Sequence, residues 1–190
     1  MKRILTCAIV LTTLSTQMPA VANEAATQTV TAITVGSPAK PSSVEGNINA
    51  GKKISLGWAE LSNVACFPAT RFEQFDGNHV FYRVPMSASS SLKITMTPKD
   101  NAAINLYALR QSAAGNQPVP PDVTTAISAE ASYPKYARIS ATKKIQNKDD
   151  GVRKIEFTSV GNPYSILIGV AGANGLTEGG FKLNVEQTAR

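Results

Sequence analysis

His79 is the only histidine in the chain, so any imidazole acid–base chemistry has to pass through that residue. It follows the turn-forming run Asp76-Gly77-Asn78 at the start of a strand pattern, where a solvent-facing structural residue is expected. Nucleophiles fare no better. The chain has no Gly-x-Ser-x-Gly elbow, and a catalytic cysteine would have to be Cys66, in the apolar run Val64-Ala65-Cys66-Phe67-Pro68 with no evident partner. A glycosidase needs two carboxylates about 5–10 Å apart, and Glu73, Glu130, Glu156 and Asp100 are scattered along the sequence. Structural zinc needs four ligands of a kind this chain lacks. The densest oxygen cluster, Asn147, Asp149 and Asp150, has no Asp-x-Asp-x-Asp-Gly spacing and reads as a turn between strands rather than a calcium loop. No metal, cofactor or catalytic residue is expected.

What remains is binding. Exposed aromatic rings suit sugar rings and protein partners alike. Tyr107 falls on the outward face of its strand pattern, and Tyr133 and Tyr136 flank Pro134 in an apparent loop, so these three are the candidate binding residues. Trp58 is expected in the core.

The N-terminus gives an address. Lys2 and Arg3, an apolar run over residues 4–14 and the small-x-small triplet Ala20-Val21-Ala22 form a secretory signal over residues 1–22, so the mature chain is expected to begin at Asn23. The apolar run is shorter than the roughly 20 residues that span a bilayer, so it is not read as an anchor. Of 19 Lys and Arg, the signal holds two and no acid, leaving 17 basic against 13 acidic residues, or +4. The densest basic cluster, Lys143-Lys144 with Lys148, has no interleaved aromatics, which argues against a nucleic-acid platform. Loss of Cys7 with the signal leaves Cys66 as the only thiol. It is either buried, shared with a second chain in a homodimer, or reactive.

These features sit on a strand-rich chain. Residues 23–48 are rich in Ala, Thr, Ser and Pro and read as a linker, within which residues 29–35 could form an edge strand. From Lys53 the apolar period is two. Ile54, Leu56 and Trp58 share a face, as do Val80, Tyr82 and Val84, then Leu92, Ile94 and Met96, then Ile104, Leu106 and Ala108. Strands are also predicted over residues 136–142, 152–158, 164–170 and 181–185, and a short helix over 123–131. Residues 111–122 carry three prolines and a glycine and read as a long loop. The fold class is all-β: an antiparallel, jelly-roll-like sandwich of about seven to nine strands over residues 49–190.

The runs Asn78-His79-Val80-Phe81-Tyr82-Arg83-Val84-Pro85, Ser91-Leu92-Lys93-Ile94-Thr95-Met96-Thr97-Pro98 and Ala103-Ile104-Asn105-Leu106-Tyr107 resemble the first strands of the bacterial pre-peptidase C-terminal domain. The ending Pro163-Tyr164-Ser165-Ile166-Leu167-Ile168-Gly169-Val170, followed by Gly180-Phe181-Lys182-Leu183-Asn184-Val185, is similar too. The resemblance implies a compact sandwich of the sort appended to secreted hydrolases, with roles in export, stability or polymer binding. With no peptidase domain ahead of it, an accessory role would be played in trans. Where that family often has aspartate before Leu-x-Leu-Tyr, this chain has Asn105, with Asp100 close by, which puts a cation at that turn in doubt.

These readings together describe an exported, noncatalytic binding or accessory protein of the cell envelope, periplasmic or secreted. It would dock a secreted protein, an envelope protein or a polysaccharide through loops and one sheet face. The alternatives are a structural component that self-associates through sheet edges or Cys66, and a minimal secreted hydrolase.

Overall fold

The computed structural model of the protein describes residues 28–61, 71–114, 117–134, 136–138, 144–146 and 150–190. The expected signal peptide, Cys7, Cys66, Asn147 and Asp149 lie outside the described residues. The strands are β1 (Val30–Ala32), β2 (Ser42–Asn47), β3 (Lys52–Lys53), β4 (Asn78–Met86), β5 (Ser90–Pro98), β6 (Ile104–Ser112), β7 (Ser128–Ser132), β8 (Tyr136–Arg138), β9 (Lys144–Gln146), β10 (Arg153–Ser159), β11 (Tyr164–Gly172) and β12 (Gly180–Ala189), with one short helix, α1 (Gly57–Leu61). A six-stranded sheet runs β1-β4-β11-β6-β7, with β3 beside β1 on the edge of β4. A four-stranded sheet runs β10-β5-β12-β2, and β8 pairs with β9 alone. The all-β sandwich is thus the observed class. One pairing departs from the expected antiparallel plan, because β1 runs parallel to β4.

Alternation decides which residues meet between the sheets. Tyr82, Val84 and Met86 of β4, Ile104, Leu106 and Ala108 of β6, and Ile166, Ile168 and Val170 of β11 face Leu92, Ile94 and Met96 of β5 and Phe181, Leu183 and Val185 of β12. Removing such a side chain from water stabilises the fold by about 1.5–3 kcal/mol each. The turns that hold these strands apart use the expected residues: Asp100, Asn101, Asn174 and Gly175 all take positive φ.

Residues 28–48 are not a free linker. β1 lies on the edge of the larger sheet and β2 pairs with β12, while Ile33 and Ile48 are buried in the core. The low apolar content that suggested a linker reflects edge strands, which bury only part of each residue. The strand expected through Ile54, Leu56 and Trp58 is also corrected: β3 ends at Lys53, and Leu56, Trp58 and Ala59 belong to a segment that turns into α1. The backbone N–H of Ala59 donates to the Leu56 carbonyl there. No helix forms over residues 123–131, because β6 has an edge to fill. β7 pairs with it over Leu106 to Arg110, and the Ile127 N–H donates to the Arg110 carbonyl.

These departures have one structural result. The outer face of the larger sheet is covered by α1, the turn Phe72–Gln74 and the segment around Val119 to Ala126. A second apolar layer therefore packs there, with Leu56, Trp58, Phe75, Phe81, Tyr107, Leu109, Leu167 and Ala171 buried. The outer face of the four-stranded sheet stays open. β3 approaches β4 so closely that a Cβ on Gly51 would lie 1.7 Å from the His79 carbonyl oxygen. Gly51→Ala is accordingly expected to push β3 off β4 and cost roughly 1–3 kcal/mol, read as a lowered denaturation midpoint.

Candidate functional site

The outward row of β4 is His79, Phe81, Arg83 and Pro85, and its first two members vanish beneath the second layer. His79 is fully buried, correcting the solvent-facing expectation. Its ring lies 6.1 Å from Phe81 and 5.9 Å from Tyr107, and Nδ1 donates to the Gly77 carbonyl at 3.1 Å. Nε2 is buried and has no hydrogen-bond partner among the described residues. Burial in this apolar setting pushes the imidazole pKa down to about 4, against the weaker opposing pull of the Gly77 hydrogen bond and Asp76. The ring is neutral at ordinary pH.

Tyr107 does point outward from β6, yet it is only 1% exposed, which removes it as a ligand platform. Its ring is 6.1 Å from Trp58 and 5.6 Å edge-on from Phe75. Tyr133 is half-buried with its ring edge-on to Phe75 at 5.7 Å, so loop packs onto sheet there. Tyr136 opens β8, and its side-chain setting lies outside the described residues. The three tyrosines do not form a common described site.

The other chemistry-bearing residues are spent on structure. Asp150 accepts from the Val152 N–H at 3.0 Å and from Lys154 Nζ at 2.8 Å, closing its own turn. These bonds, with Lys154 first, hold its carboxyl below the usual range. Asn105 Oδ1 accepts from Arg153 Nε at 2.9 Å, so a guanidinium already occupies its oxygen, while its Nδ2 donates to Gln74. Glu130 sits on β7 and Glu156 on β10, in different sheets. No group of three or more His, Cys, Asp or Glu that could hold a metal occurs among the described residues.

The open face of the smaller sheet is polar and carries exposed ion pairs. Lys93 meets Glu186 at 2.9 Å and Lys99 meets Glu45 at 2.6 Å. Arg83 is different. Beyond Phe81 the covering layer ends, and Arg83 stands half-buried on β4, reaching diagonally to Ser165 and Gln111, which pair across β11 and β6. Arg83 Nη1 donates to Gln111 Oε1 and to Ser165 Oγ, both at 2.9 Å, and Nη2 donates to the Gln117 carbonyl at 3.0 Å. Gln111 is itself held by donation from Nε2 to the Pro118 carbonyl at 2.9 Å, which fixes the amide with its oxygen toward Arg83. All three acceptors are neutral. Desolvation lowers the guanidinium pKa, but an arginine remains protonated.

Arg83 lines an open cleft of about 450 Å³. One wall is aliphatic, with Ala32, Pro85, Ala113 and Pro163 exposed and the buried core residues Ile33 and Met86 behind them; Ser87, Tyr164 and Ser165 complete it, and none of the described lining residues is acidic. The Tyr164 ring is already engaged, with the Arg110 guanidinium 5.2 Å from its centroid and 5.3 Å from that of Phe157. Sequence reasoning missed this site. The readable signal was a cation within an otherwise apolar outward row, opposite a Pro-rich loop able to offer carbonyls.

The chain matches no family model and no curated protein. Its structure is similar to the pre-peptidase C-terminal domain of a collagenase from Bacillus anthracis, at 9% identity over 84% of this chain and 96% of that one, with a TM-score of 0.41. It is also similar to a periplasmic inhibitor of g-type lysozyme from Aeromonas hydrophila, at 14% identity, 85% and 99% coverage and a TM-score of 0.38. A third likeness is to a surface-associated copper-binding protein of Methylomicrobium album, at 12% identity, 84% and 98% coverage and a TM-score of 0.45. The first of these is the domain whose strand pattern the sequence resembles. Among the described residues no helix is long and apolar enough to cross a membrane.

Proposed function

We propose that this chain is an exported, noncatalytic binding protein of the cell envelope, periplasmic or secreted. The observation that carries the reading is the cleft at the end of the six-stranded sheet, where a guanidinium is held in place by neutral acceptors and faces an open space with no acid among the described lining residues. A fixed cation of this kind suits recognition, since its donors are oriented before the partner arrives. The N-terminal signal pattern supports export. The one histidine is neutral and enclosed, and the cleft lining offers neither imidazole nor carboxylate for proton transfer, which supports a noncatalytic role.

Immobilised mature protein is expected to retain a component of the solubilised envelope fraction, released by raised salt because the contact is partly ionic. Retention of nothing would contradict the reading. So would a hydrolytic activity of the purified protein that disappears in Glu73→Gln or Glu130→Gln.

A further inference from the structure

We infer that the Arg83 cleft takes the free carboxylate of a peptide chain end, with the aliphatic side chain of its last residue against Pro85, Pro163 and Ala32. This rests on the reading of the chain as a binding protein and names the chemistry of its partner. A half-buried cation in a cleft without an acid is complementary to an anion, and charge-assisted hydrogen bonds to guanidinium are the stronger kind. The lining supplies one positive charge, which matches a monoanionic carboxylate rather than a phosphate dianion. Ser165 Oγ accepts from Arg83 and so keeps its own O–H for the second carboxylate oxygen.

The walls decide between a peptide and an acidic sugar polymer. Sugar rings are taken by flat aromatic faces, whereas the cleft wall is aliphatic and its one ring, Tyr164, is occupied by Arg110. About 450 Å³ accommodates a terminal residue and part of the one before it. The bonds that Arg83 donates to Gln111, Ser165 and the Gln117 carbonyl stop the guanidinium from swinging into water, so little ordering remains to be done on binding.

The test is calorimetric titration of the mature protein with acetyl-glycyl-alanyl-leucine as free acid, with the same peptide as its C-terminal amide, and with galacturonic acid. The free acid is expected to bind saturably and the amide at least about tenfold more weakly, the effect of losing one charge-assisted pair. Galacturonic acid is expected to bind no better than the amide. Arg83→Gln should weaken the free acid about tenfold or more. Because that change also removes three internal hydrogen bonds, Ala113→Glu is the second variant. Ala113 is an exposed residue of the cleft lining, and a carboxylate there should compete for Arg83 and cause a similar loss with an unchanged unfolding midpoint.

The inference is overturned if acid and amide bind alike, if both variants keep wild-type affinity, or if the sugar acid binds and the peptide does not. Failure of the free acid while the protein still retains an envelope component removes the carboxylate cleft and leaves the binding reading in place. Failure of retention removes the binding reading itself.

Discussion

Tyr107→Ala is expected to destabilise the protein by about 3–5 kcal/mol, the loss typical of a large aromatic removed from a packed interior. The tyrosine sits at the centre of the second layer, with Trp58, Phe75 and His79 around its ring. It reaches them by lying across Gly169, its cross-strand neighbour on β11, where an added Cβ would come within 2.3 Å of the ring. Neither side can be altered alone. Trp58, the only tryptophan, is 6.1 Å from the ring, so its emission reports the same event as a denaturation curve. A loss below about 1 kcal/mol would mean that the layer covering the sheet adds little to stability.

The second large effect is acid sensitivity through His79. In the unfolded chain its imidazole titrates near 6.5, and in the fold burial holds it down to about 4. Between those values the unfolded state binds a proton that the folded state refuses, so stability falls as pH falls. The contribution is fully present above about pH 6.5 and is lost progressively toward pH 4, amounting to roughly 3 kcal/mol. The cause is geometric. Nδ1 already donates to the Gly77 carbonyl, so the added proton would go to Nε2, which is buried with no hydrogen-bond partner among the described residues, in a ring packed against Phe81 and Tyr107. Denaturation of wild type and His79→Phe at about pH 7.5 and pH 4 should show the wild type losing roughly 3 kcal/mol more on acidification. Equal acid slopes would contradict a buried neutral imidazole.

Both effects belong to a layer that the alternation of single strands does not reveal. A period of two identifies one inward face, and Val80-to-Val84, Leu92-to-Met96 and Ile104-to-Ala108 were legible on that ground. The burial of the opposite face needed two strands read together. On β6 the outward residues are Asn105, Tyr107 and Leu109, and on the adjacent β11 they are Leu167, Gly169 and Ala171. All but Asn105 are apolar, aromatic or small, and that is a face made to be covered. What covers it is non-local: Trp58 and Phe75 arrive from segments distant in sequence, and no propensity argument places them. The edge strands β1 and β2 escaped for a related reason, since their residues are only partly buried and carry little apolar pattern.

The candidate site was less legible still. In the sequence Tyr107 alternates outward and Tyr133 and Tyr136 flank Pro134 in a loop, but Tyr107 and Tyr133 pack against Phe75 and Tyr107 is enclosed. Arg83, by contrast, looks ordinary in its strand. Its distinction lies in what surrounds it: a glutamine fixed by a loop carbonyl, a serine from the next strand, and no carboxylate among the described residues of the cleft. Elsewhere lysines such as Lys93, Lys99 and Lys154 meet acidic partners. Exposed pairs of that kind add little to stability and leave no net charge to recognise.

The most direct measurement follows the Arg83 Nε–H resonance by nitrogen-15 NMR while the mature, folded protein is titrated with acetyl-glycyl-alanyl-leucine and, separately, with its amide. The free acid is expected to move that resonance to a saturating limit together with the backbone signals of Ser165 and Ile33, and the amide is expected to leave it in place. An Arg83 signal that stays fixed under saturating free acid, or that moves equally with the amide, would contradict a carboxylate-binding cleft.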